Sequence, residues 1–111
     1  MESDKFTFRR EGNRALLGIE GRFTLEDKED FLSFVSESID DQGGVLCIDA
    51  RRLDYIDSSG IGDLIKLKME AMKSFKRVCI LGLTANMERV FRVSGLNSVF
   101  EVIDEAEYNQ L

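Results

Sequence analysis

A chain of 111 residues is large enough for one hydrophobic core and too small for two, and its 43% hydrophobic and 32% charged residues are ordinary for a soluble globular protein. A net charge of −6 argues against nucleic acid as a partner and against electrostatic docking on an anionic membrane. The sequence has no histidine, which excludes a Ser-His-Asp triad and zinc sites of the HExxH kind.

Met1-Glu2-Ser3-Asp4-Lys5 lacks the basic-then-apolar form of a signal peptide, and no apolar stretch approaches the roughly 20 residues needed to cross a bilayer, so a cytoplasmic location is expected. Phe6 to Arg10 alternates weakly and Arg14 to Glu20 is more apolar; Glu11-Gly12-Asn13 between them has turn chemistry, which predicts a hairpin. After Gly21-Arg22-Phe23, Thr24 is a good N-cap with Asp27 at the capping-box position. From there Leu25, Lys28, Leu32, Val35 and Ile39 recur at helical spacing, with Phe31 and Phe34 on the flanks, and Gly43-Gly44 is expected to end the helix.

Val45-Leu46-Cys47-Ile48-Asp49 is a short apolar run of the kind that forms a strand covered on both faces, and Arg51 to Ile56 continues outward to a turn at Asp57. Ile61, Leu64, Ile65, Met72 and Phe75 then predict one helical stripe, opposed by Asp63, Lys66, Glu70 and Lys73. Lys68 falls inside the apolar arc, where its stem packs and its ammonium snorkels outward. Lys76-Arg77 precede a further strand, Val78 to Leu81. Cys47 and Cys79 lie inside these apolar runs and read as buried free thiols, since no CxxC spacing supports a redox pair or a metal site. Thr84 caps a third helix with Met87, Val90 and Phe91 inward. Gly95 supplies a left-handed exit followed by the apolar Leu96, and Val99 to Ile103 forms a last strand before an acidic tail.

The resulting order, β-β-α-β-α-β-α-β, predicts an α/β fold: a mixed sheet with helices packed on it and later strands parallel through right-handed crossovers. The loops leaving the strand C-termini then gather on one rim, which should hold Arg22 to Thr24, Asp57 to Gly62 and Leu83 to Asn86. Asp57-Ser58-Ser59-Gly60-Ile61-Gly62 stands at a strand-to-helix junction on that rim. A hydroxyl there lies where free N–H groups and the helix dipole favour an anion. Asp57 reads as the N-cap. Gly60 and Gly62 keep side-chain bulk away, so that another protein's active site can approach the backbone. The segment reads either as a simple helix start or as a phosphoacceptor, whose added charge of about −1.5 to −2 would disrupt a partner interface.

Ile56-Asp57-Ser58-Ser59-Gly60-Ile61-Gly62 closely resembles the signature of the STAS domain, specifically of bacterial anti-sigma factor antagonists. The resemblance extends to Val45–Asp49, which is similar to the family's central strand, and to Val90-Phe91-Arg92-Val93-Ser94-Gly95-Leu96 through Phe100, which is similar to its last helix and exit. It implies one STAS domain over residues 1–111, with Ser58 as the phosphorylated serine, Ser59 its neighbour, and an anti-sigma factor serine kinase as partner. The unphosphorylated form would capture the kinase and free a sigma factor; the phosphorylated form would let go, and a metal-dependent serine phosphatase would reset it. ATP and metal belong to those enzymes, so the chain needs no cofactor of its own and is not an enzyme.

The partner surface is expected around Ser58 and the exposed start of the second helix, with Gly62, Asp63 and Lys66, and with Arg22, Phe23 and Thr24 beside it; Phe23 reads equally as core. Family members often carry Gly-x-Leu/Ile-Asp before the first helix, and here Gly21-Arg22-Phe23-Thr24 puts threonine at the aspartate's place. That change motivates an alternative: a constitutive STAS binding subunit, such as a scaffold or the accessory protein of a membrane transporter, without the switch. A serine hydrolase would need an unusual lysine or carboxylate base, and no acidic pair with a partner lysine matches an aspartyl-phosphate receiver.

Overall fold

A computed structural model of the chain describes residues 5–40 and 42–111; residues 1–4, on which most of the signal-peptide reading rests, lie outside the described residues. The chain runs through β1 (Phe6–Glu11), β2 (Arg14–Ile19), β3 (Gly21–Phe23), a 3-10 turn (Leu25–Asp27) and α1 (Lys28–Ser38). It continues through β4 (Val45–Asp49), β5 (Leu53–Ile56), α2 (Ser58–Ala71), β6 (Arg77–Leu81) and α3 (Ala85–Ser94). A second 3-10 turn (Leu96–Ser98), β7 (Glu101–Ile103) and α4 (Glu105–Asn109) complete it.

The predicted hairpin forms, with β1 and β2 antiparallel from Phe6 opposite Ile19 to Glu11 opposite Arg14. From β2 onward the pairings are parallel, giving a five-stranded mixed sheet in the order β1-β2-β4-β6-β7. Alternation along the inner strands divides the core in two. Ala15, Leu17, Ile19, Leu46, Ile48, Val78 and Ile80 share one cluster with Phe31, Phe34, Leu64, Leu67, Met87 and Phe91 from α1, α2 and α3. Leu16, Val45, Cys47, Cys79 and Leu81 form the opposite cluster with Ile103 and Tyr108.

Several expectations are corrected. The predicted stripe of the first helix is out of phase: Leu25 and Leu32 are 64% and 54% exposed, whereas Phe31 and Phe34 are buried. The cause is the 3-10 turn over Leu25–Asp27, which winds more tightly than an α-helix and resets the rotation before α1 begins. Phe31 and Phe34 thereby join Phe6 and Phe23 in one aromatic cluster, with centroid separations of 4.8 to 5.9 Å. The helix ends at Ser38, with Ile39 already extended, so Gly43 and Gly44 turn the loop into β4 and do not cap α1.

β3 and β5 were not expected as strands. They pair in parallel as a separate two-stranded sheet, Arg22 opposite Tyr55 and Phe23 opposite Ile56. α2 stops at Ala71, so Met72 is exposed while Phe75 is buried beyond the helix end. The Lys68 stem runs inward as predicted, but its ammonium lies 5.5 Å from the Phe100 ring centroid and donates to the Val99 carbonyl. The acidic tail contains α4, started by a capping box in which Asp104 accepts from the Glu107 N–H at 2.8 Å. Both cysteines are buried free thiols, as read from the sequence. No helix among the described residues is long and apolar enough to cross a membrane.

Candidate functional site

Ser58 is the first residue of α2 and is exposed; Ser59 is half-buried. Asp57 precedes them in extended conformation, and its Oδ1 accepts from the Gly60 N–H at 2.8 Å, the N-cap bond predicted for it. Its Oδ2 accepts from the Leu25 N–H at 3.1 Å, at the start of the first 3-10 turn. One carboxylate therefore satisfies orphan donors at two helix starts. These bonds, that from Gly60 foremost, outweigh burial and hold the Asp57 carboxyl below the usual carboxylate range, so it is ionised at neutral pH. Ser58 thus carries its hydroxyl beside a fixed negative charge, on the positive end of a helix.

The third helix start joins the same rim. Thr84 accepts from the Met87 N–H at 3.2 Å to begin α3, and the Asn86 side chain donates to the Asp54 carbonyl of β5 at 3.0 Å. The expected convergence of Arg22–Thr24, Asp57–Gly62 and Leu83–Asn86 is present.

Gly60 has a different role from the one expected. An added Cβ would stand 2.6 Å from the Phe23 carbonyl oxygen and 2.7 Å from Ile56 Cγ1, so its bareness seats the helix start against β3. Of the two motif glycines it is Gly62 that faces open space, with nothing within 4 Å of a built Cβ. Thr24 begins the 3-10 turn, and its N–H donates to Asp27 Oδ2 at 2.8 Å, one arm of the predicted capping box. Asp27 also takes the Lys5 ammonium at 2.7 Å. Burial works to raise its pKa, but the Lys5 and Thr24 bonds prevail and lower it.

Two residues expected on the partner surface are not available there. Phe23 is fully buried, because the alternation of β3 turns it toward Phe6 and Phe31 while Arg22 points out. Asp63 is 3% exposed, because its place on α2 faces α1, where Lys28 donates to Oδ1 at 2.6 Å. Asp63 Oδ2 has no hydrogen-bond partner among the described residues. Lys66 is exposed, but it lines the groove between α1 and α2 with Lys28, Leu32 and Glu70, about 12 Å along the helix from Ser58.

The Lys28–Asp63 pair makes a testable feature of its own. A buried pair contributes less than its short distance implies, because both charges lose water, whereas removing one partner strands the other. Asp63→Leu is expected to leave the midpoint of urea unfolding unchanged or raised, because the Lys28 side chain is 37% exposed and its freed ammonium can turn to water. Lys28→Ala is expected to lower stability by about 1–3 kcal/mol, below the roughly 3–5 kcal/mol of a fully buried pair because Lys28 is partly solvated.

Sequence reasoning missed Tyr55 and Leu25. The Arg22 guanidinium lies 4.2 Å from the Tyr55 ring centroid, a cross-strand pair set by the β3–β5 register. With Thr24, exposed Leu25, Glu26 and Asp57 they line a shallow cavity of about 310 Å³ beside Ser58. The available signal was a large aromatic next to the motif in a run whose Leu53 and Ile56 ends were already apolar.

The family model described as "Mlab, STAS domain" matches residues 6–103. An anti-sigma factor antagonist from Mycobacterium paratuberculosis superposes with a TM-score of 0.76 at 13% identity, over 88% of this chain and 83% of that one. The anti-sigma factor antagonist SpoIIAA in its unphosphorylated form gives 0.70 at 23% identity, over 93% and 91%. The Bacillus cell fate determinant SpoIIAA in its phosphorylated form gives 0.61 at 22% identity, over 95% and 96%. At those identities the likeness establishes the fold, and the family match does the rest: the chain belongs to the STAS domain family and has the SpoIIAA-like α/β fold.

Proposed function

We propose that this chain, taken over residues 1–111 as one STAS domain, is an anti-sigma factor antagonist: a cytoplasmic partner-switching regulator of transcription without catalysis of its own. It binds an anti-sigma factor serine kinase, is phosphorylated by it at Ser58 and released, and is reset by a serine phosphatase. The observation that carries this reading is the exposed Ser58 at the head of α2, with Asp57 locked beside it by two backbone N–H groups. The partner contacts Arg22, Tyr55, Thr24 and Leu25 around the cavity, Ser59 and Gly62 at the helix start, and Lys66 further along α2. Phe23, Gly60 and Asp63 act from beneath, as packing.

The balance of charge explains the switch. The phosphate adds about −1.5 to −2 charges beside a carboxylate that stays ionised, which opposes a docked acidic or apolar surface without refolding the domain. A second reading, a constitutive STAS subunit of a scaffold or a transporter, draws on Thr24, which puts a neutral cap where a carboxylate often stands in this family. Affinity capture from the native cell with the unphosphorylated chain separates the two. Recovery of an ATP-binding serine kinase supports the switch; recovery of transporter subunits with no kinase supports the constitutive subunit.

A further inference from the structure

Cys47 and Cys79 are 32 positions apart in sequence, yet they are register partners on the adjacent parallel strands β4 and β6, with their sulfurs 3.0 Å apart. Neighbouring strands are about 4.8 Å apart, inside the roughly 4.4–6.8 Å Cα separation that a disulfide spans. The sulfurs need to close by only about 1 Å to reach a bonded length near 2.05 Å. Both lie on the sheet face opposite α1, α2 and α3, in the cluster closed by Tyr108 and Leu111.

We propose that Cys47 and Cys79 are a redox modification site, oxidised by a hydroperoxide to an intramolecular disulfide when α4 lifts from the sheet. One of the two sulfurs attacks one peroxide oxygen, the O–O bond breaks, and that residue becomes a sulfenic acid while the other oxygen leaves with the thiol proton as water or an alcohol. The second sulfur then attacks the first; the S–O bond breaks and the departing hydroxide takes the second thiol's proton as water. Two thiols lose two electrons and two protons in total, and one hydroperoxide is reduced. Either sulfur can donate the contact they share, so the first attack can fall on either, and both routes close the same bond.

α4 is suited to be the gate. It spans Glu105–Asn109, a helix of five residues, and among the described residues its side-chain ties join it to Glu11, Arg14 and Arg51. The Tyr108 hydroxyl donates to Glu11 at 2.9 Å, and Arg14 donates to the Tyr108 carbonyl at 2.8 Å with its guanidinium 4.5 Å from the ring centroid. Arg51 reaches Glu105 at 2.8 Å, a pair exposed enough to contribute little. A five-residue helix held through side chains is expected to open locally at lower free energy than the sheet beneath it unfolds.

The test is native-state oxidation of the purified chain with hydrogen peroxide, followed by unfolding, alkylation of remaining thiols and peptide mapping. The expected product is a peptide pair joined through Cys47 and Cys79, about 2 Da lighter than the two thiol peptides. Tyr108→Ala, which loosens the gate, is expected to speed its formation about tenfold, and Cys79→Ser to abolish it. Recovery of both cysteines as alkylated thiols, with oxygen added only at methionine, would overturn the site; so would disulfides formed only between chains. An unchanged rate in a folded Tyr108→Ala variant would overturn the gate. Because the wild-type mapping needs no variant and no binding partner, this result is separable from the Ser58 reading.

Discussion

Ser58→Asp is expected to weaken binding to the captured kinase by at least about tenfold, roughly 1.4 kcal/mol, while Ser58→Ala leaves affinity within about twofold of the parent. The asymmetry is the informative part. Alanine removes an exposed hydroxyl and leaves the Asp57 cap to Gly60 and Leu25 in place, so the rim keeps its shape. Aspartate adds charge at a position where a carboxylate is already held ionised, and one charge is less than the phosphate would bring. Isothermal titration of both variants against the same kinase preparation reads this directly. Equal losses for the two variants would point to steric contact at residue 58 and away from an electrostatic switch.

Phe23→Ala is expected to cost about 3–5 kcal/mol of stability, read from chemical denaturation. The ring is fully buried between Phe31, at 4.8 Å, and Phe6, at 5.9 Å. Its backbone carries the short β3 strand, whose carbonyl lies against Gly60 and accepts from the Asp57 N–H at 3.3 Å. Removing the ring therefore leaves a cavity under the rim as well as in the core, and the surviving folded fraction is expected to be phosphorylated more slowly. A loss below about 1 kcal/mol would mean that the site can collapse without Phe23, contrary to its packing.

What the sequence made legible follows from how far each signal acts. The hairpin, β4, β6 and the capped α3 with its Gly95 exit are encoded in short contiguous patterns, and they form where those patterns stand. The Asp57 cap is local too, and the Gly60 N–H takes its bond as expected. Failures came where one element's geometry depends on a distant one. β3 and β5, three and four residues long, exist because they pair with each other across the chain, and neither is long enough to show a period. The 3-10 turn after Thr24 is set partly by Asp57 from 32 residues away, and it rotates α1 so that Phe31 and Phe34 displace Leu25 and Leu32 from the core. Asp63 looked like a solvated residue opposite the apolar stripe; its burial depends on Lys28 arriving from α1. Gly60 was legible as a glycine that matters, but its reason, the Phe23 carbonyl, was not.

Incubation of the intact chain with its kinase and ATP, followed by intact-mass measurement and phosphosite mapping, bears most directly on the proposed switch. One phosphate, located at Ser58 and absent from Ser58→Ala, is the result the proposed switch predicts. No incorporation, or a phosphate that persists in Ser58→Ala, would leave the chain a STAS domain whose rim binds without switching.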